Sequence, residues 1–502
     1  MNRTPEKYFI GIDIGTGSTK AVGINLKGAM MATSQVYYSA EDLHDGYSEQ
    51  DPEMIWEAFK KCVVQLIEKI KYPPVSISFS SAMHGVMAVN EQKKPISNLI
   101  TWADTRSEKI AEQIRKSKEA KSIYRVTGTP IHAMTPLCKI IWLRKNKPAI
   151  FKKSHKFISI KEFIWFRLFG VYEIDYSIAS ATGLFDIKKL QWNKASLKLC
   201  GITTAHLSDP KPTNFIRKNV DNSVLKSLPL PSGISFCIGA SDGCLANLGS
   251  YAMDQGSAAL TIGTSGAVRI ANPKPVYNYA EMTFNYLLDD KTFICGGPAN
   301  NGGNIVQWLF ESFLKIEKPS HEDYDELFRR IDAIDAGSKG LLFLPYLYGE
   351  RAPVWDGRAS GVFMGIKPSH TQDYFLRATL EGICYSMNEV VQIVEKSTQK
   401  IDKLIVSGGL IRSKIWMQIL SDITGKKLYV IETQDSSAVG AALLNMKTMK
   451  MIKSYSSLKP AVSQIVKPDL KNHKRHEANF AVFKTLYPAL KDSMHRMNEN
   501  KK

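Results

Sequence analysis

The sequence predicts an α/β protein built as two similar halves that face each other across a cleft, and three observations carry that reading. Strand-like and helix-like segments alternate through the N-terminal part of the chain. A unit of strand, Gly-Thr turn and strand occurs twice, around Ile14-Gly15-Thr16-Gly17-Ser18 and around Ile262-Gly263-Thr264-Ser265-Gly266. At 502 residues the chain is too long for one ordinary core, which asks for two or three domains. The expected division is a first domain over 1–248, a second over 255–446 and a basic C-terminal extension over 447–502, with the boundary near Leu248-Gly249-Ser250-Tyr251.

The elements follow in order. Residues 8–14 read as a buried strand ending in a Gly/Thr/Ser turn, and Ala21-Val22-Gly23-Ile24 as its partner. Asp51-Pro52 opens a helix, with Asp at the N-cap, Pro in the first turn, and Ile55, Phe59, Val63, Leu66 and Ile70 along one face. Val75 to Phe79 is another strand, broken at Ser80-Ser81. The second unit pairs Ala258-Ala259-Leu260-Thr261 with Ala267-Val268-Arg269-Ile270. In the tail, Lys459-Pro460, Lys467-Pro468 and Tyr487-Pro488 are expected to break up any long helix. Phe480, Phe483 and Leu486 predict one short packed helix beyond Glu477.

Composition narrows the class. Hydrophobic residues at 44% and charged residues at 23% are a soluble globular mix. No apolar run suggests a membrane span, and the polar opening Met1 to Lys7 makes a poor signal peptide. Seven cysteines with no C-x-x-C pair indicate neither a disulfide framework nor a zinc site, so a reducing cytoplasm is expected. The net charge is +18, and half of the excess lies in residues 447–502, with 13 Lys or Arg against 4 Asp or Glu. Eight more Lys or Arg lie in the acid-free stretch from Lys139 to Lys161. Neither stretch matches a nucleic-acid module, so both read as solvated basic surface.

The turns carry the chemistry. Backbone N–H groups of a Gly/Thr/Ser turn form an anion nest, to which the hydroxyls of Thr16, Ser18 and Thr19 add donors and Lys20 adds charge. No Walker or dinucleotide fingerprint is present, so a phosphate site here is of the hairpin type. Asp13 is placed to orient Mg²⁺ through water, although a turn-capping Asp is the plainer reading. In Gly239-Ala240-Ser241-Asp242-Gly243 a carboxylate is flanked by small residues that let a hydroxyl come close. Asp242 is the candidate base, although Ser-Asp-Gly is also an ordinary turn.

With these motifs the chain resembles the FGGY carbohydrate kinases over nearly its whole length. The matching segments are 11–20, 49–52, Met83-His84-Gly85, 239–243, 260–265, the block Leu344 to Asp356, 361–365, and 406–409 with Ser413 and Trp416. The resemblance implies two ribonuclease-H-like (actin-like ATPase) domains with ATP and sugar in the cleft between them. It implies Asp242 as proton acceptor, Gly15, Thr16, Gly17, Ser18 and Thr19 with Gly263 and Thr264 as the phosphate loops, and Gly303, Gln307, Gly409 and Ser413 on the nucleotide. Met83, His84 and Trp102 correspond to sugar-contacting positions, and Asp104 and His132 are expected beside them. Stretches 80–84, 101–107, 128–134, 157–162 and 175–183 look most like gluconokinase. Glycerol kinases carry Arg-Glu where this chain has His84-Gly85, which argues against glycerol. A buried gluconate carboxylate needs a cation or several donors, and the candidates are His84, Arg106, His132 and Lys161, each also able to sit in an ordinary structural contact. The expectation is ATP- and Mg²⁺-dependent phosphorylation of a sugar acid, with a pentulose kinase as the nearest alternative and a sugar-independent actin-like ATPase or a catalytically silent sugar-binding regulator as remote ones. The expected partner is a small sugar or sugar acid, not nucleic acid or membrane, and a homodimer is allowed for.

Overall fold

The computed structural model describes residues 6–39, 46–431 and 435–499. Residues 1–5, 40–45, 432–434 and 500–502, among them the first five residues of the polar opening and the last three of the basic tail, lie outside the described residues.

Strand β1 (Tyr8–Ile14) is the axis of the first half. Tyr8, Ile10, Ile12 and Ile14 enter one apolar cluster while Phe9 enters another, so the strand is buried on both faces. It pairs antiparallel with β2 (Ser18–Asn25), which pairs with β3 (Met30–Tyr37). Helix α1 (Pro52–Ile70) starts where expected, with the Asp51 carboxylate accepting from the Glu53 N–H at 2.9 Å, and Ile55, Phe59, Val63, Leu66 and Ile70 all buried. β4 (Ser76–Ser81) then runs parallel to β1. After helix α2 (Ile160–Phe169), a short β5 (Ile216–Arg217) and β6 (Ser235–Ser241) complete a sheet of order β5-β6-β4-β1-β2-β3. Helix α3 (Asp242–Gly249) leaves the end of β6 directly.

The second half repeats the plan. β7 (Ser257–Ile262) pairs antiparallel with β8 (Gly266–Asn272); β9 (Phe284–Leu287) and β10 (Phe293–Ala299) extend the sheet on that side. Helices α4 (Gly303–Trp308) and α5 (Gln372–Ser397) precede β11 (Lys403–Gly408), which runs parallel to β7. Helix α6 (Lys414–Thr424), β12 (Lys427–Val430) and helix α7 (Ser436–Thr448) follow. The core order β3-β2-β1-β4-β6 of the first sheet has its counterpart in β10-β8-β7-β11-β12 of the second, with the same parallel and antiparallel pairings. The duplication read from two turns is therefore a duplication of whole sheets.

The halves meet where α3 crosses α7. A Cβ added to Gly249 would stand 1.9 Å from the Ser436 carbonyl oxygen, and one added to Gly440 would stand 2.0 Å from that of Leu245. Gly11 of β1 likewise faces the Ala438 carbonyl at 1.8 Å. Glycine at these points lets backbone lie on backbone.

Two expectations fail. The tail holds an edge strand, β13 (Gln464–Val466), and one long helix, α8 (Leu470–Glu499), with Pro488 inside it. Packing overrides the proline: Phe480, Phe483, Leu486 and Met494 are all buried, and His476 shares a hydrogen bond with the Tyr385 hydroxyl at 2.7 Å. The basic stretch 139–161 is not wholly surface either, because Lys139 and Lys161 are buried. All seven cysteines are free and buried, and no helix among the described residues is long and apolar enough to cross a membrane.

Candidate active site

Both Gly-Thr turns open toward the cleft in the same way. In the first, the Gly15 carbonyl accepts from Tyr38 Oη at 2.8 Å, the Gly17 carbonyl from the Tyr38 N–H at 3.1 Å, and the Thr16 carbonyl from Gln50 Nε2. In the second, the carbonyls of Gly263 and Thr264 accept from the N–H groups of Gly303 and Asn304 at 2.7 and 3.1 Å. With their carbonyls held from behind, the amides of Thr16, Gly17 and Thr264 donate to no described residue. This is the arrangement of an anion nest. The hydroxyls of Ser18 and Thr19 do not join it: Ser18 Oγ accepts from Gln35 Nε2, and Thr19 is fully buried against Tyr38 Oη. Thr16 Oγ1 accepts the indole N–H of Trp102 at 2.9 Å, which fixes both residues at the cavity mouth.

Between the turns lies a cavity of about 310 Å³. Thr16, Met83, His84, Trp102 and Asp242 from the sequence reading line it. Asp242 is the first residue of α3, and its carboxylate accepts from the Gly243 N–H at 2.7 Å. Burial, seconded by the charge of Asp13, pushes its carboxyl up to about 7. Asp13 pairs across the sheet with Ser80, whose hydroxyl donates to Asp13 Oδ1 at 2.7 Å; burial raises its pKa too. A cation beside Asp13 would relieve the repulsion it exerts on Asp242, a relief to which Arg269 and Lys161 already contribute. Asp13 with its second oxygen free fits Mg²⁺, which takes one carboxylate along with waters and phosphate oxygens. No cluster of three or more His, Cys, Asp or Glu forms an all-protein cage among the described residues.

The expected cations are engaged elsewhere. Lys161 pairs with buried Asp175 at 2.6 Å and donates to the Ala240 carbonyl at 2.8 Å, bracing the strand that ends at Asp242. Asp104 is buried and takes Arg106 at 2.6 Å and the Ser48 N–H at 2.8 Å; Arg106 also pairs with Glu49. Burial lowers His84 and His132 to about 3, so both are neutral. His84 sits in the left-handed region at φ 68°. Its Nδ1–H donates to the Ala181 carbonyl at 2.7 Å, and Nε2 accepts from Tyr286 Oη at 3.1 Å. His132 lies behind the wall, edge-on to Trp355. Lys20 bridges the halves to Asp435 at 2.6 Å. Of the residues expected at the nucleotide, Ser413 caps α6 with its hydroxyl, and exposed Gln307 donates to Glu311. Gly409 follows Gly408, whose φ of 94° and approach to the Ile262 carbonyl exclude a side chain.

Sequence reasoning missed several wall residues: Thr261, Ser265, Arg269, Phe284, Tyr286 and Arg351. Arg269 carried a signal, since Ala267 and Arg269 alternate onto one face of β8 just after the turn, and a cation on an otherwise apolar strand is unusual. Buried Lys139 was read as surface. It donates to the carbonyls of His84 and Thr101 at 2.9 and 2.6 Å, holding the segments that carry His84 and Trp102, and burial brings it down to about 7.

Residues 8–249 match the FGGY family of carbohydrate kinases, N-terminal domain, and residues 258–449 match its C-terminal domain. The chain is 38% identical to a gluconokinase of Bacillus subtilis (strain 168) over 488 residues, 96% of this chain and 94% of that protein. It is 29% identical to a xylulose kinase of Staphylococcus epidermidis over 97% of both chains. A gluconate kinase structure from Lactobacillus acidophilus superposes with a TM-score of 0.92 at 30% identity, covering 98% of this chain and all of that one. A ligand-bound xylulose kinase from the same organism gives 0.93 at 30% identity over the same shares. With both family domains matched in order across the two halves that flank the cavity, the chain belongs to the FGGY family of carbohydrate kinases.

Proposed function

We propose that the protein transfers the γ-phosphoryl group of ATP to the terminal hydroxyl of D-gluconate, giving 6-phosphogluconate. The observation that carries the reading is Asp242, a carboxylate tuned to about 7 at the floor of a cavity with an anion nest on either side. The greater identity to gluconokinase than to xylulose kinase supports the choice of substrate. Met83, His84 and Trp102 face the polyol chain, while the turns at 15–17 and 263–264 hold the phosphates. Asp13 would hold Mg²⁺ through water, and the ion, when bound, neutralises phosphate charge.

Asp242 accepts the proton as the hydroxyl oxygen bonds to the γ-phosphorus and the bond to ADP breaks. A base with a pKa near the working pH is the efficient choice. Amides of Thr16, Gly17 and Thr264 meet charge on the transferring group without having to reorient. Gly303, Gln307, Gly409 and Ser413 belong to the nucleotide side of the cleft, Ser413 by starting the helix that borders it. The working form is a cytoplasmic enzyme with no nucleic-acid or membrane partner, divided near residue 250, and light scattering will show whether it is a homodimer. A coupled ADP-release assay over gluconate, xylulose, ribulose and glycerol tests the substrate. Gluconate is expected to give the highest kcat/KM. A preference for xylulose or ribulose would replace the reading with a pentulose kinase.

A further inference from the structure

Two guanidinium groups on the cavity wall, Arg269 and Arg351, form no salt bridge with any described residue, although Asp242 and Glu350 are near enough to act on them electrostatically. Arg269, on β8, makes no hydrogen bond with any described residue, although a guanidinium carries five N–H donors, and its charge is offset by that of Asp242 across the cavity wall. Its Nε lies against Gly243, 3.3 Å from where a Cβ would stand. Arg351 makes one side-chain hydrogen bond, to the Ala299 carbonyl at 3.0 Å, and its buried Nε has no acceptor. It stacks over the Trp102 ring at 5.2 Å. The neighbouring Glu350 is its nearest counter-charge but makes no salt bridge with the guanidinium; that carboxylate accepts from the N–H groups of Asn300 and Arg351 and the amide of Asn301.

We infer that Arg269 and Arg351 clamp the anionic end of the substrate, which makes a sugar carrying a carboxylate, not a neutral ketose or polyol, the class this cleft is built for. The inference rests on the sugar-kinase reading above. Burial is the main cost to the Arg351 charge, Glu350 and Tyr286 offset part of it, and repulsion from the like charge of Arg269 on the same cavity adds to it. Hydroxyls relieve that repulsion weakly, whereas a carboxylate accepts bidentate hydrogen bonds from such groups and cancels charge. His84 is neutral and Lys161 is paired, so no other cation on the sugar side is available. The geometry agrees in depth. Ala267 and Arg269 share one face of β8, and two residues along a strand are about 6.8 Å. That carries Arg269 past the phosphate turn into the same cavity, with its Nε beside Gly243 and so on the side of Asp242.

The test uses Arg269→Met, Arg351→Met and Arg269→Lys in the full chain, with gluconate, its neutral analogue D-glucitol, and xylulose. Calorimetry without nucleotide gives affinity, and coupled assays give kcat and KM. Selectivity for gluconate over the neutral compounds is expected to fall on the order of 100-fold in each Met variant, mainly through KM, as for truncating one partner of a buried charge pair. Arg269→Lys should recover part of it. Equal losses on acid and neutral substrates would assign Arg269 to the transferring phosphoryl group and overturn the clamp. Unchanged gluconate KM in Arg269→Met would overturn it while leaving the gluconokinase reading intact. If the parent enzyme rejects gluconate but takes another sugar acid with the same arginine dependence, the clamp stands and the named substrate falls. A parent enzyme active only on neutral sugars removes both. Thermal melting checks folding, and if Arg351→Met does not fold, Arg269→Met alone decides.

Discussion

Replacing Asp242 with Asn should make the enzyme slower and more stable at once, a pairing that a merely structural aspartate would not give. The carboxyl has an ordinary value of 3.8 and is raised to about 7, chiefly by burial and then by Asp13. Between those values the unfolded chain has lost the proton and the folded chain keeps it, so stability falls as pH rises from about 4 to 7 and the cost is complete above 7. Three units at about 1.4 kcal/mol each set an upper bound of about 4 kcal/mol. The amide still accepts from the Gly243 N–H but must place an NH₂ group, so a net gain of about 1–2 kcal/mol at pH 8 is expected. For units of roughly 250 residues this is a rise of about 2–8 °C in melting temperature. At pH 4 the difference should disappear. Turnover should drop on the order of 10²–10⁴-fold, and the acid limb of kcat/KM near pH 7 should vanish. Scanning calorimetry at pH 4, 6 and 8 with steady-state assays measures all three. A melting temperature that is unchanged or lowered at pH 8, or turnover within tenfold of the parent, refutes the account of Asp242 as a desolvated base.

Lys161→Met leaves Asp175 buried without its partner and should cost about 3–5 kcal/mol by denaturant titration. Because Lys161 also lowers the pKa of Asp242, the acid limb of any surviving activity should move to higher pH. Trp102→Phe keeps the ring but removes the hydrogen bond to Thr16, and a severalfold rise in KM for ATP with a stability change near 1 kcal/mol is expected. Gly440→Ala forces a methyl to 2.0 Å from the Leu245 carbonyl, so the seam must shift; a loss of at least 1–3 kcal/mol is expected in thermal unfolding.

What the sequence made legible was whatever depends on local pattern. β1 was readable as a short apolar run buried on both faces, and α1 because burial of one helix face writes itself as a period. The paired turns were readable because the same short Gly-Thr pattern recurs between two strand-like runs. Partners were not legible. Lys161 and Arg106 were good candidates for a substrate carboxylate by type, yet each has a carboxylate of its own from distant sequence, and Asp175 and Glu49 gave no sign of it. Lys139 was counted as surface because its acceptors are backbone carbonyls, which every residue has. Pro488 misled for the opposite reason: the local rule was sound, but the packing of Phe480, Phe483 and Met494 outweighs one missing hydrogen bond.

The seam explains why the base and the phosphate nests can be built on different halves and still act together. Asp242 is the first residue of α3, which packs on α7 along its length: Ser437 Oγ donates to the Asp242 carbonyl at 3.3 Å, Gly440 lies against Leu245 and Gly249 against Ser436. Points near a contact of that kind move least when two rigid bodies rotate, and points far from it move most. The turn at Thr16 is tied to that seam as well, because Gly11 of β1 lies against the Ala438 carbonyl and Lys20 pairs with Asp435 at 2.6 Å. Asp242 is held relative to β6 by the hydrogen bond from Lys161 to the Ala240 carbonyl. The contacts at Gly11, Leu245 and Gly249 therefore hold Asp242 and the first turn together on one side of the seam.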